Sequence, residues 1–174
     1  MRYFIKIMPA FLLLTLMSFS TQAQENAIDE HFSEYADDDR FTKVSISSKM
    51  FNLFTNVDSD NPDEQQVIET ISKLTGLKML IGNELENTSS LYASAINELS
   101  GDYEELMTIE DSEHELVFYI EETDGKISEL VMVMYEGTNL LILSLVGDID
   151  LQELSNLSDK MEIEGFEEFK NLEK

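Results

Sequence analysis

The segment "ELVMVMYEGTNLLILSLVGDIDLQEL", residues 129–154, holds two apolar runs separated by the short gap "EGTN" and closed by an acidic stretch. A gap of this length cannot hold a crossover helix, so the two runs must pair as antiparallel neighbours. Leu130, Met132 and Met134 fall on one face of the first run, and Val131, Val133 and Tyr135 fall on the other. The second run, "LLILSLV", is apolar on both faces. Antiparallel strands with one wet face alternate polar with apolar residues, so both of these strands are expected to be covered on both sides. Helices can cover one side. The other side is expected to meet an N-terminal helix, an aromatic C-terminal tail, a second subunit or a ligand, which makes Val131, Val133 and Tyr135 the candidate interaction face.

The acidic end of the segment reads as local architecture. Asp150 stands at the N-cap of a helix with the apolar stripe Leu151, Leu154, Leu157 and Met161, and Glu153 three residues on completes a capping box. Gly147 and Asp148 supply the turn out of the strand. The trio Asp148, Asp150 and Glu153 is therefore assigned to the strand-to-helix turn rather than to catalysis or metal binding.

Working upstream, "ELVFYIEE" and a strand through Leu106, Thr108 and Ile109 extend the pattern, with Asp124 and Gly125 in the next tight gap. A four-strand antiparallel β-meander near residues 103–147, flanked by helices packed on at least one face, places the chain in the α+β class. Before it, Tyr92, Ala95, Ile96 and Leu99 mark a helix from about Ser89, ended by Gly101. Asn61, Pro62 and Glu64 form a helix start, with Val67, Ile68, Ile71 and Leu74 facing inward and Gly76 as the left-handed stop, followed by a strand from Leu77 to Ile81. A helix with the stripe Met50, Leu53, Phe54 and Val57 follows the strand "FTKVSIS", capped by Ser47 or Ser48. Ile28, Phe32 and Tyr35 mark one short amphipathic helix at the start of this region.

The first 23 residues, "MRYFIKIMPAFLLLTLMSFSTQA", have basic Arg2 and Lys6, an apolar run from Ile7 to Phe19, and Thr21 and Ala23 as a small-residue exit. The run is too short to cross roughly 30 Å of hydrocarbon as a permanent anchor. Residues 1–23 are therefore expected to be a cleaved signal peptide, which leaves no transmembrane anchor and a periplasmic or secreted product beginning at Gln24. Residues 24–162 would form one domain, and 163–174 an acidic amphipathic tail carrying Phe166 and Phe169. Roughly 150 residues suffice for a core without disulfides, and the chain has no cysteine.

The 36 acidic residues against 11 basic ones give a formal charge of -25. Such a field repels nucleic acid and anionic lipid. Chemistry-bearing motifs are sparse. His31 and His114 have no cysteine to join them in a zinc set and read as solvated groups. No serine stands in a nucleophile elbow, and Ser144 reads as a small residue packed in the sheet. Asp58, Asp60 and Glu69 occupy calcium-loop positions, but Asp63 replaces the glycine that loop requires. The contiguous Asp37, Asp38 and Asp39 build no coordination sphere by themselves, and no phosphate loop exists. No cofactor is expected.

The chain resembles a family of small exported proteins from Bacteroidota known as domain of unknown function 4252. The resemblance rests on "FTKVSISSKMFNLF", "YEELMTIED", "GKISELVMVM" and "LLILSLVGDIDLQELSNL", and spans roughly residues 26–162. It implies an extracytoplasmic α+β domain. Many relatives look like lipoproteins, and this chain departs from them in having no cysteine to carry the lipid. No activity is established for the family, so no functional residue carries over. Residues and resemblance together point to an exported non-catalytic binding or interaction module, with a role in envelope maintenance or stress response and an envelope protein or a second copy as its partner. The alternative is a periplasmic hydrolase built on carboxylates.

Overall fold

A computed structural model describes residues 26–55, 59–112 and 114–161. The expected signal peptide, the tail at 163–174, and Val57 and Asp58 lie outside the described residues. In chain order the elements are α1 (Ala27–Glu30), α2 (Ser33–Asp37), β1 (Phe41–Ser47), α3 (Ser48–Thr55), α4 (Pro62–Ser72) and β2 (Leu74–Gly82). There follow α5 (Thr88–Leu99), β3 (Glu104–Glu110), β4 (His114–Thr123), β5 (Lys126–Glu136), β6 (Asn139–Ile149) and α6 (Leu151–Met161). Among the described residues, no helix is long and apolar enough to cross a membrane.

The strands form one antiparallel sheet in the order β1-β2-β6-β5-β4-β3. Two-residue turns join the central hairpins. Asp124 and Gly125 both take positive φ between the paired Thr123 and Lys126, the twist that a tight hairpin requires. Gly137 and Thr138 close the next hairpin between the paired Glu136 and Asn139. The fold is α+β, as the meander pattern predicts.

Both faces of the sheet are covered. Val131, Val133, Leu140 and Ile142 pack under α1, α2 and α5 through Ile28, Phe32, Tyr92, Ala95 and Leu99. On the opposite face Leu130, Met132, Leu143 and Leu145 share a core with Phe51 of α3, Leu74 and Leu154 of α6. Strands β5 and β6 are apolar on both sides because they lie in the interior of a sheet sandwiched between helices.

Several local expectations need correction. The N-terminal amphipathic stretch is two short helices broken at His31 and Phe32. Gly76 does not stop α4: the helix ends at Ser72 with Lys73 as its cap, and Gly76 lies inside β2, paired with Ser47 and with Val146. Gly147 is likewise inside β6, where an added Cβ would stand 2.5 Å from the Lys73 carbonyl oxygen. Its lack of a side chain admits the neighbouring backbone, and the Asp148 N–H donates to that same carbonyl at 3.1 Å. In α3 the buried residue is Phe51, whereas Met50, Leu53 and Phe54 are 45%, 61% and 55% exposed.

The capping box at α6 is half formed. Asp150 Oδ1 accepts from the Gln152 and Glu153 N–H groups at 2.9 and 3.1 Å. Glu153 turns instead to Lys73, whose Nζ donates to both carboxylate oxygens at 2.6 and 2.7 Å. An ion pair between α6 and the end of α4 outweighs a bond to one backbone N–H. At α4, Asn61 Oδ1 caps the Asp63 N–H at 3.0 Å, while Glu64 accepts from the Ser59 hydroxyl.

A buried carboxylate fastens the N-terminal helices to the sheet. Glu129 is in phase with Val131 and Val133, and it is only 1% exposed. Its Oε1 accepts from the Ala27 N–H at 2.8 Å and from the Ser144 hydroxyl at 2.5 Å, and its Oε2 accepts from the Tyr103 hydroxyl at 2.9 Å. Asp29 of α1 adds an ion pair with Lys78 of β2. Burial pushes the Glu129 carboxyl above the ordinary glutamate range, and the three donors only partly oppose that shift. Its protonated form therefore contributes stability that is fully present below the unfolded value of about 4.3 and is lost as pH rises through the raised folded value.

Two outcomes follow from these contacts. Urea unfolding of Glu129→Gln, which keeps the acceptor and removes the charge, should show a stability advantage over the wild type that widens as pH rises from 4 to 8. A difference independent of pH would reject ionisation of Glu129 as a cost to the fold. Replacing Asp150 with Ala should lower the unfolding free energy by about 0.5–2 kcal/mol through loss of the α6 cap, read as a lower urea midpoint.

Candidate functional site: a tyrosine-lined cleft beside α5

The candidate interaction residues follow one row across β5. Val131 opposes Tyr119 and Ser144, Val133 opposes Val117 and Ile142, and Tyr135 opposes Glu115 and Leu140. Val131 and Val133 are fully buried beneath the helices, and Tyr135 is half-buried. Of the three, Tyr135 alone carries the row into a cleft open to solvent.

That cleft exists because the helices do not span the whole sheet. Helix α5 packs mainly on β5 and β6, which leaves the outer strands β4 and β3 beside it as the floor of a trough. Its volume is about 430 Å³. Tyr92 and Ile96 form the α5 wall, Val117 and Tyr119 the floor, and Tyr135 one end. The Tyr92 and Tyr135 rings lie 5.9 Å apart, tilted by 38°.

A bulge in β3 sets the outer edge. Between Glu105 and Met107 the pairing with β4 slips, so that Glu105 opposes Tyr119 and Thr108 opposes Val117. The extra residue puts Glu105 and Thr108, three apart, on the cleft face together. Thr108 Oγ1 donates to Glu105 Oε1 at 2.8 Å. Glu115, on β4, brings a second carboxylate to the same cleft.

Tyr92 is the unusual group. Its residue is 6% exposed, and its hydroxyl is buried from solvent near the Glu115 carboxylate. Burial, and after it the Glu115 carboxylate nearby, pushes its ionisation well above the ordinary tyrosine range, so the group stays a neutral hydroxyl. Tyr119 is raised in the same way by burial and by Glu105.

The other sequence candidates do not converge. Asp148 pairs with Lys126 at 2.6 Å, Asp150 caps α6 and Glu153 pairs with Lys73. His114 is exposed between Asp111 and Glu136, at 3.0 and 3.1 Å. His31 is not the solvated group expected from its sequence neighbours: its side chain is 11% exposed and packs edge-on against Tyr103, 5.6 Å between ring centres. Asp38 is held by Arg40, which lowers its carboxyl to about 2. Glu69 accepts from Gln65 on its own helix. Glu129 is the one Asp or Glu buried in the core among the described residues, but it is sealed from any substrate. Among the described residues, no group of three potential ligands could hold a metal ion.

Sequence reading named Tyr135 as a candidate interaction residue, read Tyr92 and Ile96 as the inward face of a helix, and gave no role to Glu105 or Glu115. Glu105 and Thr108 share a face only through the bulge, and neither residue type announces one. Comparison with known proteins finds no matching curated protein and no matching solved structure. Residues 35–157 match one family, and the chain belongs to it: the domain of unknown function DUF4252.

Proposed function

We propose that this protein is an exported, non-catalytic binding module that takes its ligand or partner in the tyrosine-lined cleft beside α5. The observation that carries this reading is the open cleft itself, about 430 Å³ in volume and lined by aromatic and aliphatic side chains with a few polar groups among them. Sites that bind without chemistry have this composition: apolar walls, and a few polar atoms that fix orientation. The basic, apolar and small-residue regions of residues 1–23 support export, and the acidic composition suits a periplasmic or secreted destination. A role in envelope maintenance or stress response, with an envelope protein or a second copy as partner, fits that location.

Catalysis by carboxylates is the competing reading, and it can be separated by experiment. The purified protein should turn over no chromogenic ester, glycoside or peptide substrate. A thermal-shift screen of small amphiphiles should find compounds that raise the melting temperature of the wild type and have no effect on Tyr135→Ala. Substrate turnover that disappears in Glu105→Gln/Glu115→Gln would overturn the binding reading in favour of a hydrolase.

A further inference from the structure

The two edges of the sheet are unlike. Strand β3 carries Glu104, Glu105 and Glu110 and a bulge, devices that keep foreign strands from pairing with an edge. Strand β1, at the other edge, has neither: it pairs with β2 from Phe41 to Ser47 without a register shift and holds no carboxylate and no proline. Its outer side therefore presents a regular row of backbone donors and acceptors. Residues 40–57, which contain β1 and α3, are the longest run without an aspartate or glutamate after residue 25, in a chain that has 36 of them. Lys43 and Lys49 lie in this run and have no ion-pair partner among the described residues, whereas Arg40, Lys73, Lys78 and Lys126 are each paired with a carboxylate. The large apolar side chains exposed among the described residues, Met50, Leu53 and Phe54, lie in the same run. This surface is separate from the tyrosine-lined cleft, whose floor is at the opposite edge of the sheet.

We propose that β1 pairs antiparallel with β1 of a second copy of the chain, making one continuous sheet across a two-fold axis at Val44, the middle of the strand. Charge selects this occupant in two ways. Two strongly acidic copies repel each other least where carboxylates are missing, and residues 40–57 are that place. Antiparallel pairing also sets the residues just before β1 in one copy beside those just after β1 in the other, so the exposed Asp37 and Asp39 meet the partner's Lys49. Parallel pairing would set aspartate beside aspartate. Helix geometry agrees. Helix α4 packs against both α3 and α6, which leaves α3 as the outer helix on its face, resting on β1 and β2. The two-fold axis puts both copies of α3 on the same face, about two strand spacings or ~10 Å apart, a distance at which helices pack. The seam between them takes Met50, Leu53 and Phe54 out of water, above Ile46, which already packs in the core under α3.

The test is sedimentation equilibrium of the purified protein near 0.15 M salt, where screening confines charge repulsion to about 8 Å, with amide hydrogen exchange measured across the same concentrations. The mass should rise to twice that of the protomer, and alternate amides of β1 should exchange more slowly as it does, while those of β3 stay unchanged. Leu53→Glu/Phe54→Glu should weaken dimerisation at least about tenfold by removing apolar burial. Ser90→Glu/Asn97→Glu, which adds the same charge to exposed positions on α5, and Tyr135→Ala in the cleft should leave it within about twofold. Lys49→Glu alone and Asp37→Lys/Asp39→Lys alone should each dimerise more weakly, and mixing the two should restore dimers, because each then carries the complement of the other. Circular dichroism verifies that every variant is folded. A monomer at all concentrations up to about 1 mM would overturn the proposal. A dimer that survives Leu53→Glu/Phe54→Glu, or that leaves β1 exchange unchanged, would place the contact elsewhere and overturn it as well. Equal weakening by Ser90→Glu/Asn97→Glu would show repulsion by net charge alone. Failure of the mixture to restore dimers would overturn the antiparallel pairing, and assemblies larger than a dimer would overturn the two-fold axis.

Discussion

Strands β5 and β6 have no face that tolerates water, and this constraint organises the domain. Val131 and Val133 on one side, and Leu130 and Leu145 on the other, are all buried. Two apolar faces require two layers of cover, and the chain supplies them from different regions. Helices α3, α4 and α6 meet the Leu130 face, while α1, α2 and α5 meet the Val131 face. Strand β6 sits between β2 and β5, so the N-terminal pair β1–β2 joins the meander through it rather than forming a separate sheet. Central placement gives both apolar strands neighbours on each edge as well as cover on each face.

Short helices such as α1 and α2 have little stability of their own, and the Val131 face depends on how they are held. Glu129 does this with an ionisable group where an apolar residue would be expected. Its three donors come from α1, from the segment after α5 and from β6, so one side chain ties three parts of the chain together. Removing the acceptor would leave an amide and two hydroxyls unsatisfied in the core, which costs more than any one of those bonds contributes. The two bulges beside Glu129, in its pairing with β4 and with β6, fall where the strand departs from regular alternation to present this group.

Much of this was legible in the sequence, for identifiable reasons. Tight gaps at Asp124–Gly125 and Gly137–Thr138 leave no topology but hairpins, and the doubly apolar runs require cover on both faces. The Asp150 cap depends only on residues within one helical turn of it. What the sequence did not disclose depends on distant partners. Gly76 and Gly147 resemble helix stop and turn, yet both are strand residues, and at Gly147 the backbone of Lys73 and Leu74, about seventy residues away in the chain, comes too close for a side chain. Glu153 satisfies the local pattern of a capping box, but Lys73 competes for it across the fold. Glu129 did leave a trace, because it falls on the same face as Val131 and Val133, as Ser144 falls with Leu140 and Ile142. A charged residue in phase with a buried row is the signal for such a clamp.

The location of the cleft follows from the same constraint. A single helix of the length of α5 covers about two strands, and it is drawn to the most apolar pair, β5 and β6. The outer strands β4 and β3 therefore need a different means of tolerating water on that face. They combine an amphipathic tyrosine with carboxylates: Tyr119 beside Glu105, and Glu115 opposite Tyr135 at the end of β5. An exposed edge strand is also a template for unwanted pairing, and β3 counters this with Glu104, Glu105, Glu110 and its bulge. Protection of the edge thus supplies the negative rim of the cleft. Tyr92 joins the same scheme from the helix side, its ring packed against Tyr135 and its buried hydroxyl set near the Glu115 carboxylate.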